Sequence, residues 1–134
     1  MIEFEILARG LYRPDQLRIT YDPSLRMPVT PAIQHWMDDY WERKLAMAKA
    51  QDYPLFDAPL YRYISAESRA DGTLHLVLGD TSYKEYVTTR APEFSTGRSR
   101  AELGNALSVC SVIETSDGHI LLYRRQGVDV DHLG

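Results

Sequence analysis

Residues 30–50 read TPAIQHWMDDYWERKLAMAKA, and this stretch decides the fold. Large apolar residues recur in it at spacings of three and four, which is the period of one face of an α-helix. These positions are Ile33, Trp36, Met37, Tyr40, Trp41, Leu45 and Ala48. Thr30 can accept a hydrogen bond from the first turn, and Pro31 suits the first helical position, where an N–H is not needed. The sequence therefore predicts a helix from about residue 31 to residue 50, with its apolar stripe packed against the rest of the chain.

Polar residues occupy the opposite face of this predicted helix. They are His35, Asp38, Asp39 and Glu42. The spacing brings His35, Asp39 and Glu42 close together, and carboxylates suit magnesium, whereas a histidine suits zinc. A solvated face opposite an apolar stripe explains the same pattern more simply. We therefore predict no metal site on this helix.

Two pairs of alternating segments predict β-hairpins in the first 80 residues. Residues 2–7 (IEFEIL) and 17–21 (LRITY) alternate in polarity, and we expect them to pair as a hairpin or meander. Residues 60–68 and 74–79 flank the turn dipeptide Asp71-Gly72, which predicts a second hairpin. A short helix should follow, with Asp80 or Thr81 as its cap and a capping box between Ser82 and Glu85.

A third hairpin is predicted over residues 105–125, with its turn at Ser116-Asp117-Gly118. Its first run carries apolar or small residues on both faces, which is typical of a strand covered on both sides. Cys110 lies in this run, and we predict that it is a small buried apolar residue. Residues 91–104 are polar and contain proline and glycine, so we place a domain boundary there, between regions 1–100 and 101–134.

Composition and charge exclude several classes of function. The formal net charge is −4, and no basic stripe with interleaved aromatic residues occurs, so we expect no nucleic-acid partner. No apolar run approaches the length of a signal-peptide core or a membrane span, so we expect a cytoplasmic protein without a membrane partner. The single cysteine excludes an intramolecular disulfide.

Three phrases in the sequence resemble the Nudix hydrolase superfamily, and more narrowly its branch of UDP-glucose-type nucleotide-sugar diphosphatases. They are YPLFDAPLYRY (residues 53–63), LVLGDTSYKEYVTTR (76–90) and LGNALSVCSVIETSDGHILLYRR (103–125). In that branch, phrases like residues 55–59 and 81–85 precede the Nudix core, which opens with a hairpin like residues 107–125. The predicted fold is therefore α+β: N-terminal β-hairpins with one long amphipathic helix, then the opening hairpin of a Nudix-type mixed sheet.

The catalytic signature of the family, G-x5-E-x7-R-E-U-x-E-E-x-G-U, matches no stretch of these residues. The resemblance implies hydrolysis of a nucleotide-sugar diphosphate by water, in which clustered carboxylates hold Mg²⁺. We expect this chain to be the N-terminal portion of such an enzyme, inactive alone and contributing packing, cleft shape or a homodimer contact. The Mg²⁺ ligands are then outside this chain. The alternative is a complete, non-catalytic module that binds nucleotide sugars or another protein.

The expected substrate-binding residues lie at two places in the chain. Thr81, Ser82 and Lys84 follow a strand at the start of a predicted helix, where N–H groups and a lysine suit a phosphate. Helix capping explains the same residues without a ligand. Arg124 and Arg125 end the last predicted strand, and arginine forks suit phosphate as well as surface ion pairs.

Two further sets of residues allow a functional interpretation. Trp36, Tyr40 and Trp41 could form a platform for a sugar ring, but their helical spacing favours a core position. Asp57 could be a general base, but a capping or turn role before Pro59 is the simpler prediction. We predict no catalytic residue in this chain.

Overall fold

The structure is a computed structural model that describes residues 5–122. It is an α+β fold, as predicted, with a three-stranded mixed sheet and three α-helices within this range. The elements are β1 (Leu17–Tyr21), α1 (Pro31–Ala50), β2 (Pro59–Ser68), β3 (Leu74–Ser82), α2 (Tyr83–Thr89) and α3 (Pro92–Ser95). Short 3₁₀ turns occur at Pro14–Gln16 and Arg100–Glu102.

Helix α1 begins and ends where the sequence predicts. The Ile33 N–H donates to Thr30 Oγ1 at 3.2 Å, and Pro31 occupies the first turn. The apolar stripe is confirmed, since Met37, Trp41 and Ala48 are buried. Within residues 5–122, no helix combines the length and the apolar character needed to cross a membrane.

The second predicted hairpin is confirmed, whereas the first does not form within the described residues. Strands β2 and β3 pair antiparallel, and Gly72 takes a φ of 81° in the turn between them. Strand β1 instead pairs in parallel with β3, from Leu17 opposite Leu74 to Tyr21 opposite Leu78. Residues 5–7 form no strand, and residues 2–4 lie outside the described range. The long connection through α1 and β2 permits this parallel pairing, which a short loop could not.

The core lies where α1 meets α2, α3 and the end of β3. It consists of Met27, Met37, Trp41, Ala48, Leu78, Val87, Ala91 and Phe94. The ring of Trp41 contacts that of Tyr83 edge to face, with 6.2 Å between centroids. The core therefore holds the first residues of α2 against the middle of α1.

The third predicted hairpin forms its turn but not its strands. The Thr115 N–H donates to the His119 carbonyl at 2.8 Å, and Gly118 takes a φ of 80°. Between residues 105 and 122 the only strand-type pairs are two isolated bridges, Arg62 with Ala106 and Glu114 with Ile120. The prediction that Cys110 is buried is wrong, because its side chain is exposed. A two-stranded hairpin has too little surface of its own to bury both faces.

Candidate functional site

The two short phrases that carry the family resemblance meet at one corner of the fold. Pro59 and Ser82 form the first pair of the β2–β3 ladder. Beside this pair, the Lys84 N–H donates to Asp57 Oδ1 at 2.8 Å, and the Tyr83 N–H donates to the Ala58 carbonyl at 2.8 Å. We call residues 57–59 and 80–85 the β3–α2 corner. Asp57 thus caps α2 from a distant part of the chain, a role in keeping with the simpler prediction for it.

Glu85 closes the corner from inside α2. Its Oε2 atom accepts from Thr81 Oγ1 at 2.9 Å and from the Ser82 N–H at 3.2 Å. In return, the Glu85 N–H donates to Ser82 Oγ at 3.2 Å. The predicted capping box is confirmed, with Ser82 as the cap in place of Asp80 or Thr81. The N–H groups expected to hold a phosphate therefore already donate to acceptors of the protein itself, which are two carboxylates, a backbone carbonyl and a hydroxyl.

The side chain of Lys84 is paired with α1. Its Nζ lies 2.5 Å from Asp38 Oδ1, and Gln34 Nε2 donates to the same oxygen at 2.9 Å. The Lys84 hydrogen bond, followed by that from Gln34, lowers the pKa of Asp38 below the usual aspartate range. Lys84 is 21% exposed, so it is reachable from solvent at the rim of the corner. Any anion bound there would compete with Asp38 for the ammonium group.

The four polar residues of the α1 face do not converge on one point. Asp38 turns to Lys84, whereas His35 and Asp39 pair with each other at 3.4 Å with both side chains exposed to solvent. In the part of the chain that the structure describes, no group of three or more His, Cys, Asp or Glu residues is arranged to hold a metal ion.

Arg26 links the carboxylates of β3 and α2. Its Nη2 lies 2.8 Å from Glu85 Oε1, and its Nη1 lies 3.9 Å from Asp80 Oδ2. Asp80 also accepts from the Tyr21 hydroxyl at 2.7 Å, a bond that raises the pKa of Tyr21 because it stabilises the protonated phenol. The Tyr21 ring packs edge to face on Tyr61, with 5.5 Å between centroids. Sequence reasoning missed this cluster, because Arg26 and Tyr21 each meet partners 59 positions away and no local pattern joins them.

The carboxylates of the corner do not fit Mg²⁺. Asp57 and Glu85 are bound by backbone N–H groups, and Asp38 and Asp80 by Lys84 and Tyr21 respectively. Mg²⁺ requires several oxygen ligands that converge on one point in near-octahedral geometry. These oxygens instead face separate donors, so they act as caps and ion-pair partners.

The aromatic residues of α1 are packed by neighbours. Trp41 is 7% exposed, which confirms its predicted place in the core. Trp36 stacks on Tyr40 with a centroid distance of 5.2 Å and lies 4.8 Å from the ring of Phe94. The Arg43 guanidinium covers the Tyr40 ring at 5.2 Å. This arrangement leaves Trp36 and Tyr40 half-buried between other side chains, so only Trp41 of the three takes the predicted core position.

Two of the predicted substrate-binding residues, Arg124 and Arg125, lie outside the described residues, and their role stays a prediction. No protein-family model matches the chain, and a search of curated proteins found no match either. The resemblance to Nudix hydrolases therefore rests on the residue phrases alone.

Proposed function

We propose that this chain is the N-terminal portion of a Nudix-type nucleotide-sugar diphosphatase, with a UDP-sugar as substrate. The observation that carries the proposal is the β3–α2 corner. The two phrases typical of that branch are separated by more than twenty residues, yet hydrogen bonds join them directly through Asp57 and Ala58. Such a junction is the kind of rigid support that a substrate cleft needs.

Lys84 is the residue of the corner best suited to meet a diphosphate. It is a flexible cation, partly open to solvent, and its present partner is a single carboxylate. Thr81 and Ser82 hold the backbone that carries it, through their bonds to Glu85. In the proposed enzyme, Arg124 and Arg125 add further positive charge for the phosphates.

Residues 108–122 have the surface expected of a segment that packs against another domain. They expose a series of apolar side chains: Val109, Val112, Ile113, Ile120, Leu121 and Leu122, of which Val109 is 86% and Leu122 91% exposed. Apolar surface of this kind is stabilised when it packs against another body. In the proposal, that body is the Nudix core, which supplies the carboxylates for Mg²⁺.

The coding sequence beyond the Gly134 codon tests this proposal directly. We expect a glycine-rich turn followed by a helix that carries the acidic Nudix signature. The purified 134-residue chain should release no UMP from UDP-glucose in magnesium buffer above a blank without protein. Turnover by the chain alone that EDTA abolishes would contradict the proposal, as would a stop codon at that point.

The second candidate function is a stand-alone module that binds nucleotide sugars or a protein. The same exposed segment favours it, since an apolar surface suits a protein partner as well as a second domain. Calorimetric titration of the chain with UDP-glucose distinguishes a module that binds nucleotide sugars from one that binds a protein. Only the nucleotide-sugar module should release heat on mixing. Cytoplasmic location and a homodimer belong to the main proposal.

A further inference from the structure

Arg62 is a buried cation bound by backbone carbonyl groups. It lies in β2 and is 5% exposed. Its Nη2 donates to the Ala101 carbonyl at 2.7 Å and to the Leu103 carbonyl at 3.0 Å, and its Nε donates to Leu103 at 3.2 Å. Burial lowers its pKa, although the charge of Glu85 opposes this effect. A buried guanidinium is costly unless its donors are satisfied, so these carbonyls are what allows Arg62 to stay inside.

The segment that receives these bonds also joins the edge of the sheet. The Tyr63 N–H donates to the Asn105 carbonyl and the Leu107 N–H donates to the Tyr61 carbonyl, both at 2.8 Å. Ala106 lies opposite Arg62 in an antiparallel bridge. Residues 105–107 therefore bind the edge of β2 through two backbone hydrogen bonds and an isolated antiparallel bridge.

The opposite side of the segment is held by α2. The Gly104 N–H donates to Thr89 Oγ1 at 2.9 Å, and Thr89 is 1% exposed. A side chain at Gly104 would lie 2.9 Å from the Tyr86 Cα, so only glycine permits this approach. Asn105 turns the chain with a φ of 45°, and its side chain donates to the Arg100 carbonyl at 2.6 Å. The stretch that the sequence predicts to contain a domain boundary is thus bound to the body on both sides.

We propose that residues 101–107 form a rigid clasp, with Arg62 as its central bond, that fixes the direction in which residues 108–122 leave the sheet. The clasp makes the exposed apolar segment continue from the body at a set position. This inference does not depend on the Nudix proposal, because it concerns only how this chain holds its own segment.

The planar guanidinium group of arginine is what allows Arg62 to bind the clasp. Its planar group reaches two carbonyls two residues apart at the same time, which a lysine ammonium on a flexible stem does not do. Replacing it frees carbonyls that then turn to water, and the bonds of Tyr63 and Leu107 lose their support. The loss of hydrogen bonds should be confined to the clasp, because none of these bonds involves β1 or the β1–β3 ladder.

Amide hydrogen exchange on the purified chain, resolved by residue, tests the clasp. In Arg62→Lys we expect the Tyr63, Gly104 and Leu107 amides to exchange roughly tenfold faster, which corresponds to about 1.4 kcal/mol. The Asp22 amide, which donates to the Leu78 carbonyl at 3.0 Å on the other side of the sheet, serves as an internal reference and should change far less.

A second pair of variants covers the case in which Arg62→Lys fails to fold. Thr89→Val keeps the shape but removes the acceptor of the Gly104 N–H, whereas Thr89→Ser keeps the hydroxyl. We expect faster exchange at Gly104 and Leu107 in the valine variant and little change in the serine variant. Equal acceleration of the clasp and reference amides, or no acceleration of the clasp amides, would overturn the inference.

Discussion

Among the glycines that the structure describes, Gly79 in β3 is the one that another part of the backbone approaches most closely, and replacing it with alanine gives a sharp test of the fold. A Cβ at this position would lie 1.9 Å from the Leu25 carbonyl oxygen and 2.8 Å from its carbon. Real Cβ atoms essentially never approach closer than 3.0 Å, so residue 25 would have to move by about 1 Å. The obstacle is backbone, so no side-chain rotation relieves it.

The loop that contains Leu25 is tied at both ends and resists this movement. The Asp22 N–H donates to the Leu78 carbonyl at 3.0 Å, and Met27 is buried in the core. Overpacking of this kind costs about 1–3 kcal/mol, and occasionally more. We expect Gly79→Ala to lower the free energy of unfolding by about 3 kcal/mol, at the upper end of this range. This value already includes a gain of at most ~1 kcal/mol, because alanine restricts the unfolded chain. For a chain of this length the melting temperature should fall by roughly 10 °C.

Urea and thermal unfolding, followed by circular dichroism, measure this effect. Gly97→Ala is the matched control: nothing lies within 4 Å of its Cβ, but its φ of 77° makes alanine unfavourable by about 1 kcal/mol. Gly79 has no positive φ, so the cost of its close approach is the difference between the two variants plus this backbone penalty of about 1 kcal/mol. If Gly79→Ala unfolds at the wild-type midpoint, or at that of Gly97→Ala, the crossing of residue 25 over β3 is wrong.

Two further predictions concern α1. Because Lys84 and Gln34 lower the pKa of Asp38, its carboxylate stabilises the fold above the pKa of the unfolded chain, and this contribution is lost as the pH falls through the folded pKa. The difference in unfolding midpoint between the wild type and Asp38→Asn should therefore be largest near neutral pH and shrink as the pH falls below the ordinary aspartate pKa, with Asp39→Asn as the exposed control. A difference that grows on acidification contradicts the pairing. Trp41→Ala removes a buried ring that contacts Tyr83 and should cost about 3–5 kcal/mol in urea unfolding, whereas the half-buried Trp36→Ala should cost less. Equal midpoints for the two tryptophan variants would contradict the position of the core.

The elements that the sequence predicts correctly depend on bonds between near neighbours. Thr30 accepts a hydrogen bond from the N–H three residues later, and Ser82 and Glu85 form a capping box across three positions. Gly72 supplies the positive φ of a hairpin turn beside its own two strands. In each case the partners are a few residues apart, so the pattern of residue types contains the whole interaction.

The candidate site could be predicted only in part. The phrases at residues 55–59 and 81–85 contain the residues that meet in the β3–α2 corner, and the capping box located its N–H groups. That Asp57 and Glu85 occupy those groups, and that Lys84 turns to Asp38, could not be read from the chain, because Lys84 and Asp38 are 46 positions apart. Arg62 gave no signal at all, since its partners are carbonyl groups that every residue possesses.

The sequence by itself determined the α+β class, the long helix, the second hairpin and the capped turn into α2, because local hydrogen bonds and the period of apolar residues specify these elements. The tertiary structure alone decided that β1 pairs in parallel with β3, that Cys110 is exposed, and that residues 101–107 bind the sheet edge. These outcomes depend on which distant surfaces are available to pack. Several pairings satisfy the same local pattern, and the one that forms is selected by the free energy of burial and hydrogen bonding summed over the whole described chain.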